Sequence, residues 1–456
     1  MHKKGLLKVM NWRDTCNVNI GKGIKAKMES IEWWTMIPFF LMLLCIAVLP
    51  LCAPKWWEKN TNKLLVSALL GIPSAVYMVM NGMGGNLEHQ ILFDYIPFIV
   101  LLLALYVVTG GIYISGVLPA KPWVNTCFLA VGYLLASIMG TTGAAMLLIR
   151  PLINTIRHRH FKTHTVLFFI ATVANCGGLL TPLGDPPLFM LYLRGAEFTW
   201  FLELFPVWLV TGVLLLGTYF VVDTFFYRRE RKTVLDRAAL MTIPLGLHGK
   251  RNIVFLVLVI LSVAFLNENH IPSMGGDAPF YMRYIREYAL LAIALVSWLI
   301  TGRKIRTRNQ YSWAPIVEIA YLFIGIFVTM TPALLFLNAH AASLGLQQPW
   351  QYFYTTGALS SVLDNTPTAL AFHTVALGLS ETTNLVAGVP ESILKAIAAG
   401  AVFFGAMTYI GNGPNFMVKA IAEEHHIKMP SFFVYIFKFS LIVLLPIYVI
   451  VQWIFF

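Results

Sequence analysis

Apolar segments long enough to cross a lipid bilayer recur along the whole chain, and this recurrence limits the possible folds more than any other feature. A helix needs about 20 apolar residues to span the hydrocarbon core. Ten segments have roughly that length and character: 33–53, 64–81, 94–117, 165–191, 199–226, 252–266, 288–301, 313–337, 391–420 and 431–453. The sequence therefore predicts an all-α polytopic membrane protein with the lipid bilayer as its surroundings.

The composition excludes the common classes of soluble protein. Of the 456 residues, 58% are hydrophobic and 12% are charged, whereas soluble domains carry about 25% charged residues. The five cysteines show no metal-ligand or disulfide spacing, and no GxxxxGK[ST] phosphate loop is present, so ATP-driven pumping by this chain is not expected. We expect no enzyme, no nucleic-acid binding and no cofactor apart from transported ions.

Two further apolar stretches, 123–156 and 351–379, are each interrupted near the middle by small polar residues. The interruptions read GTTG at 140–143 and DNTP at 364–367. Each stretch forms either two crossings with almost no turn or a re-entrant hairpin that enters and leaves on one side. Non-helical backbone at membrane depth is tolerated where it is buried in protein or lines a water-filled cavity.

Two of the ordinary spans are also broken. Segment 165–191 contains NCGGLLTPLGDPP at 175–187, and segment 391–420 contains TYIGNGP at 408–414. Proline removes a backbone donor, and glycine costs about 1 kcal/mol relative to alanine inside a helix. A single break of this kind is often a structural kink, but four breaks in matching places require another explanation.

The breaks belong to an internal repeat. At an offset of 224, residues 137–142 align with 361–366, and at an offset of 227, residues 181–190 align with 408–417 as T-x-[LI]-G-[DN]-x-P-x-F-M. Paired, Gly/Pro-interrupted segments in two halves indicate the binding site of a secondary transporter. We predict two inverted repeats of five transmembrane helices plus one re-entrant hairpin each, over 33–226 and 252–456, joined by a cytoplasmic linker at 227–251.

Loop charge supports this topology. The loops assigned to the cytoplasm contain 20 Lys/Arg and those assigned outside contain 3, as the positive-inside rule requires, so we expect a multi-pass protein of the inner (plasma) membrane. The basic tail at 1–32 disagrees, because the topology places it outside although residues 1–30 carry seven Lys/Arg. Either the tail is arranged differently or translation starts at Met28, which we favour.

Unwound helix ends in mid-membrane expose main-chain groups that can bind ions. Free amides at helix N-termini attract anions, and exposed carbonyls coordinate cations. Hydroxyl, amide and carbonyl oxygens are hard donors suited to Na⁺. The predicted half-sites consist of Thr141, Thr142, Asn175, Thr181 and Asp185 in the first repeat, and Asp364, Asn365, Thr366, Thr408, Asn412 and Asn415 in the second.

Two carboxyl groups within these half-sites, those of Asp185 and Asp364, are candidates for proton coupling. An acid at membrane depth is a functional candidate by default, and either group could hold a proton or a sodium ion in turn. Each aspartate could instead cap the N-terminus of a half-helix, and the two roles can coexist. The sequence predicts Na⁺ ligands at Asp364, Asn365 and Asn412.

These motifs resemble those of the ion transporter superfamily. The resemblance rests on LSSVLDNTPT at 359–368, GGLLTPLGDPP at 177–187 and TYIGNGPN at 408–415. It is strongest to Na⁺/H⁺ antiporters of the NhaD type and arsenite permeases of the ArsB type, with the citrate and dicarboxylate carriers more distant. It implies a homodimer in which a transport part moves like an elevator against a scaffold, with the cargo held at the hairpin tips and broken helices.

The tip sequences distinguish between possible cargoes. The carboxylate carriers have Ser-Asn-Thr at both tips, whereas here the tips read Gly-Thr-Thr at 140–142 and Asp-Asn-Thr at 364–366. Neither half-site contains an arginine for a polycarboxylate, although Arg150 is not far away in sequence. The sequence thus favours exchange of Na⁺ or Li⁺ for H⁺. The alternative is a transporter of citrate, another organic anion or arsenite, coupled to H⁺ or Na⁺.

Overall fold

The computed structural model describes residues 31–233, 235, 240–275, 278–379 and 384–456. The predictions about the basic tail and the translation start therefore lie outside the described residues. The helices and strands of the first half are α1 (Ile37–Cys52), α2 (Pro54–Trp57), α3 (Asn60–Met80), α4 (Gly84–His89), α5 (Ile96–Thr109), β1 (Tyr113–Val117), α6 (Pro122–Met139), α7 (Thr141–Ile156), α8 (Thr163–Thr172), α9 (Pro186–Leu193) and α10 (Phe205–Tyr227).

The second half begins after the predicted linker and is likewise helical. Its elements are β2 (Ile243–His248), α11 (Arg251–Phe265), α12 (Phe280–Arg283), α13 (Ile285–Ile300), α14 (Arg303–Arg308), α15 (Ala314–His340), α16 (Pro349–Val362), α17 (Asn365–Ala376), β3 (Leu385–Val386), β4 (Val389–Pro390), α18 (Glu391–Phe404), α19 (Gly413–Glu424), α20 (Phe432–Tyr435) and α21 (Leu445–Phe455). Turns of 3₁₀ or π type connect several of them, among them the π-helical turns Gln90–Tyr95 and Ile436–Leu444.

The fold is that of an all-α polytopic membrane protein. Among the described residues, eight helical runs are long and apolar enough to cross a membrane by length and composition. Large apolar side chains are exposed on the outer faces of these helices; Leu69, Val79 and Val221 are 69%, 62% and 67% exposed. A contiguous apolar exterior of this kind is stable in lipid and would aggregate in water. The predicted spans 252–266 and 288–301 form the shorter helices α11 and α13.

The predicted span 94–117 is wrong in its last part. Helix α5 ends at Thr109, and residues 113–117 form β1, which pairs antiparallel with β2 in the predicted linker through Tyr113↔His248. Gly110 and Gly111 make the break compact: a Cβ on either would lie within 2.5 Å of a side-chain atom of Tyr311 or Asn252. Hydrophobicity could not distinguish this strand from the end of a helix, since both are apolar.

The helices pack in two groups. In the first group, α3 packs on α15 and α1, and α5 packs on α11 and α13. The second group contains the two hairpins, α6–α7 and α16–α17, together with α8, α9, α10, α18, α19 and the last helical run. The groups contact each other where α15 packs on α17 and α5 on α7. The hairpins therefore lie at the boundary between the groups; the inverted orientation of the two halves stays a prediction.

Candidate functional site

The two hairpins turn within one or two residues. In the first, α6 ends at Met139 and α7 begins at Thr141, with Gly140 between them at φ +81°, a conformation that favours glycine. In the second, α16 ends at Val362 and α17 begins at Asn365. Both turns coincide with the polar interruptions in the sequence, and each places the N-terminus of a helix at the tip.

The two broken helices have closely similar backbone geometry. In each, a 3₁₀ turn precedes an extended segment, which is followed by a second helix with proline in its first turn. The residues at the start of these second helices match: Asp185 has φ −142° and ψ 142°, and Asn412 has φ −148° and ψ 141°. Position 412 is position 185 plus the repeat offset of 227. The sequence repeat is therefore also a repeat of local structure.

The same hydrogen bonds join hairpin to broken helix in both halves. The Thr181 hydroxyl donates to the Ser137 carbonyl, and the Thr408 hydroxyl donates to the Ser361 carbonyl. Each hydroxyl also accepts a main-chain amide two residues further on, at 3.2 Å in both cases. Thr181 and Thr408, predicted as cargo ligands, thus use their hydroxyl groups to hold the extended segments against the hairpins.

The carboxyl group of Asp185 brings the two half-sites together. It is 1% exposed and accepts three hydrogen bonds: from Thr141 Oγ1 at 2.7 Å, from Asn365 Nδ2 at 2.5 Å and from Asn412 Nδ2 at 3.1 Å. Thr141 belongs to the first hairpin tip, Asn365 to the second, and Asn412 to the second broken helix. Asp185 occupies an N-cap position, but its side chain makes no capping bond, so its role is to join the tips.

A layer of amides supports this centre. Asn175 Nδ2 donates to Asn415 Oδ1 at 2.7 Å, and Asn412 Nδ2 donates to Asn175 Oδ1 at 3.2 Å. Asn415 also donates to the carbonyls of Gly405 and Thr408, at 2.7 and 2.9 Å. These bonds satisfy carbonyls that the helix breaks leave without intrahelical partners. The asparagines hold the two broken helices in one fixed relation.

The side chain of Asp364 is not joined to this centre by any hydrogen bond that the structure describes. Its Oδ1 accepts the main-chain amide of Thr366 at 2.9 Å, so it caps α17. Of the three predicted Na⁺ ligands, Asn365 and Asn412 are bonded to Asp185 and not to Asp364. The capping alternative is thus the one the structure shows for Asp364, and the prediction of sodium binding stays a prediction.

Two buried polar atoms at the second tip have no hydrogen-bond partner among the described residues. They are Asn365 Oδ1 and Thr366 Oγ1. Burying a polar atom without a partner costs about 1–3 kcal/mol, so such atoms need an explanation. A ligand or water at the tip would satisfy both. They mark the second tip as a candidate site for a bound group.

A cleft extends from the first tip to the other group of helices. It is lined by Thr141, Thr142 and Asp185 on one side and by Tyr106 of α5 and Ile316 of α15 on the other. Tyr106 and Ile316 were not predicted as site residues from the sequence, because they belong to no motif. Only tertiary packing brings them to the tip. The cleft makes the first half-site reachable along the boundary between the two groups.

The family comparison agrees with this architecture. A family profile described as putative citrate transport matches residues 28–456, which include both hairpins and both broken helices. A search of curated proteins finds no match. The match covers nearly the entire chain and supports a membrane transporter.

Proposed function

This chain belongs to the family named for citrate transport, and we propose that it is a secondary active transporter of citrate or a similar small organic anion. The unpartnered hydroxyl group of Thr366 at the second tip carries this proposal. Thr366 Oγ1 can donate to a carboxylate, and the N-termini of α7 and α17 at the two tips provide partial positive charge. Hydroxyl groups and helix N-termini together are sufficient to bind carboxylates.

Arg150 supports an anionic cargo. It lies on α7, the helix that starts at the first tip, and its Nη2 donates to Gln310 Oε1 at 2.7 Å. Its Nε and Nη1 are buried and have no partner among the described residues. Its guanidinium interacts electrostatically with the carboxylate of Glu424 and, to a smaller extent, with Tyr106, a cleft residue. Because guanidinium groups bind carboxylates with two parallel bonds, Arg150 is suited to attract an organic anion to the cleft.

Asp185 suggests how transport is coupled to a cation. A carboxylate cargo at the tips would be close to the Asp185 carboxyl group, and like charges in a dry site repel strongly. A proton or Na⁺ at Asp185 would remove that repulsion. We therefore propose symport, in which the cation at Asp185 permits the anion to bind. The donors Thr141, Asn365 and Asn412 would then reorient when the cation arrives.

Exchange of Na⁺ for H⁺ without an anion was favoured by the tip sequences, but the family match favours the citrate alternative. From the antiport interpretation we keep one part, the binding of Na⁺ or H⁺ at Asp185. In the symport proposal this cation moves together with the anion. The resemblance also leads us to propose an elevator movement of the hairpin group in a homodimer. Such a movement would break the Arg194–Asp94 ion pair, which joins the end of α9 to the turn before α5 at 2.6 Å.

The decisive experiment uses purified protein in liposomes with labelled citrate outside and a pH dye inside. We expect citrate uptake that is accelerated by an inward Na⁺ or H⁺ gradient. Citrate-independent proton movement on adding Na⁺, with no citrate uptake, would replace this proposal by the antiport interpretation. Succinate, malate and arsenite as competitors would define the cargo class.

A pair of variants tests the role of Arg150. Arg150→Gln should raise the KM for citrate about tenfold, because it removes the two unpartnered guanidinium nitrogens while leaving the tips intact. Lys304→Gln is the charge-matched control, since Lys304 is an exposed residue of α14, close in sequence to Gln310. An equal change in both variants would indicate general surface attraction and not a contact with the cargo.

A further inference from the structure

A second cavity lies between the first broken helix and the last helical run. It has a volume of about 410 Å³ and is lined by Leu167 and Phe168 of α8, Val222 of α10, and Val434 and Phe439 near the C-terminus. These residues form an apolar wall. The cavity shares no lining residue with the cleft at the first tip, so it is separate from the proposed cargo site.

Basic side chains border this apolar wall. His164, Lys428 and Lys438 line the cavity, and both lysines are exposed. No carboxylate in the described part of the chain lies within ion-pairing distance of Lys428 or Lys438. The cavity therefore has two ammonium groups that the protein itself does not neutralise.

The acid bonded to the lining residue His164 is already paired with an arginine. Asp223 accepts from His164 Nε2 at 2.8 Å and is paired with Arg159 at 2.7 Å, in a buried cluster that also contains Glu230. The His164 side chain belongs to this cluster and is 11% exposed. Since Asp223 is engaged by a guanidinium, it adds little negative charge to the cavity, and the opening remains positive.

The position of the lysines matches the boundary between headgroups and acyl chains. Lys428 precedes the last helical run, which begins at Phe432, and Lys438 lies six residues beyond that start, or about 9 Å along it at 1.5 Å per residue. The topology predicted from loop charge places the loop 421–430, which contains Lys428, on the cytoplasmic side. The cavity thus extends from loop level into the apolar zone, with positive charge at its outer end.

We propose that this cavity is a binding site for an anionic phospholipid. The lipid phosphate would lie between the ammonium groups of Lys428 and Lys438, and an acyl chain would cover Leu167, Val434 and Phe439. Basic pockets between transmembrane helices on the cytoplasmic side are suited to such headgroups. An inorganic phosphate would satisfy the lysines but leave the apolar wall uncovered, and a zwitterionic lipid would lack the net negative charge.

Bound lipid would stabilise the transport part of the fold. One wall of the cavity is α8, whose break continues into the Asn175 layer, and the other is the last helical run, in which Ser440 donates to the carbonyl of Met407 at 2.6 Å. The lipid would bridge both broken helices at one end. We therefore expect its binding to raise the thermal unfolding midpoint of the whole protein.

The test measures binding of phosphatidylglycerol to the full-length protein in detergent, by native mass spectrometry and by thermal shift. The wild type should bind phosphatidylglycerol and be stabilised by it, with much weaker effects from phosphatidylcholine or inorganic phosphate. In the double variant Lys428→Gln/Lys438→Gln, the affinity for phosphatidylglycerol should fall roughly 30-fold, in line with the usual contribution of two lysines near acidic lipid.

Two control variants make the result specific. Lys55→Gln/Lys304→Gln removes two exposed lysines assigned to the same side of the membrane and should leave binding unchanged. Val434→Trp fills the apolar wall without altering charge and should also weaken binding; Val434 is 39% exposed, so folding should tolerate it. Equal losses in both lysine doubles, stabilisation by phosphate alone, or normal binding by Val434→Trp would each overturn the proposal.

Discussion

The first half-site and the second half-site have matching frameworks, but they carry charge in different places. Thr181 and Thr408 make equivalent bonds to the hairpin carbonyls. At the next equivalent position, however, the first half has Asp185 and the second has Asn412, and the amide donates to the carboxyl group at 3.1 Å. One symmetric framework therefore holds one acidic centre, which both halves serve.

Asp185 and Asp364 also differ in what their carboxyl groups bind. Asp185 stands at an N-cap position without capping and binds three side chains from other segments, whereas Asp364 caps its own helix. A carboxylate that accepts a main-chain amide of its own helix, as Asp364 does, stabilises the conformation of the tip. A carboxylate that is bound by side chains of both hairpins and of a broken helix joins the two halves. The local sequence therefore does not show whether an aspartate caps its own helix or binds side chains of other segments.

The largest expected effect comes from the glycines that let each broken helix fold back on itself. A Cβ at Gly184 would lie 2.0 Å from the Gly178 carbonyl oxygen, and one at Gly411 would lie 2.7 Å from that of Gly405. Gly184→Ala should destabilise the protein by more than about 3 kcal/mol and Gly411→Ala by less. Gly413→Ala, with nothing within 4 Å, is the control. Yield and unfolding midpoint in detergent would show the order, and equal effects at all three positions would contradict it.

The next largest effect is expected from removing the negative charge of Asp185. Asp185→Asn should reduce cation-stimulated citrate uptake roughly 100-fold, or about 2.7 kcal/mol, because the group that binds the coupling cation is lost. Uptake would be measured in liposomes with and without an ion gradient. Full gradient dependence in this variant would exclude Asp185 from coupling.

Exchanging the two equivalent residues sharpens the same comparison. In the double variant Asp185→Asn/Asn412→Asp, the carboxyl group moves to the matching position and keeps its partner within hydrogen-bond distance. We expect this swap to recover part of the coupling, whereas Asn412→Asp alone should impair transport by placing two acids together. A swap no better than Asp185→Asn would mean that the halves are not interchangeable at this position.

A smaller effect tests the shared framework. Thr181→Val and Thr408→Val each remove the bond donated to the hairpin carbonyl and the bond accepted two residues further on, at nearly constant volume. Thr408→Val also removes a bond accepted from the Gly411 amide at 3.1 Å. Each should lower the free energy of unfolding by about 1–2 kcal/mol, with the larger loss in Thr408→Val. Chemical unfolding in detergent would measure both. A loss in one variant alone would show that the repeated geometry does not contribute equally in the two halves.

The smallest expected effect is at Asp364. The sequence alone predicts that Asp364→Asn abolishes transport, but asparagine caps helices as well as aspartate does, so the capping geometry predicts nearly normal uptake. Asp364→Ala should cost about 1 kcal/mol of stability through loss of the cap. Abolished uptake by a stable Asp364→Asn protein would return this residue to the cargo site.

The sequence determined the fold class and the places where helices break. Apolar runs require lipid, and glycine, proline and polar residues interrupt helices through local backbone energetics, so composition and spacing are sufficient to find the tips at 140–143 and 364–367. The repeat was visible because both halves need the same backbone geometry. The sequence did not show that residues 113–117 form a strand and not a helix. That outcome depends on pairing with a segment more than 100 residues away.

The tertiary structure alone decided which of the polar residues meet. Asp185 and Asn365 are 180 residues apart, and their bond exists because the second part of each broken helix packs against the hairpin of the other half. Likewise Tyr106 and Ile316 reach the tip from helices that carry no motif. Local propensities act over a few residues, whereas a binding site is a set of distances between distant segments, and packing fixes those distances.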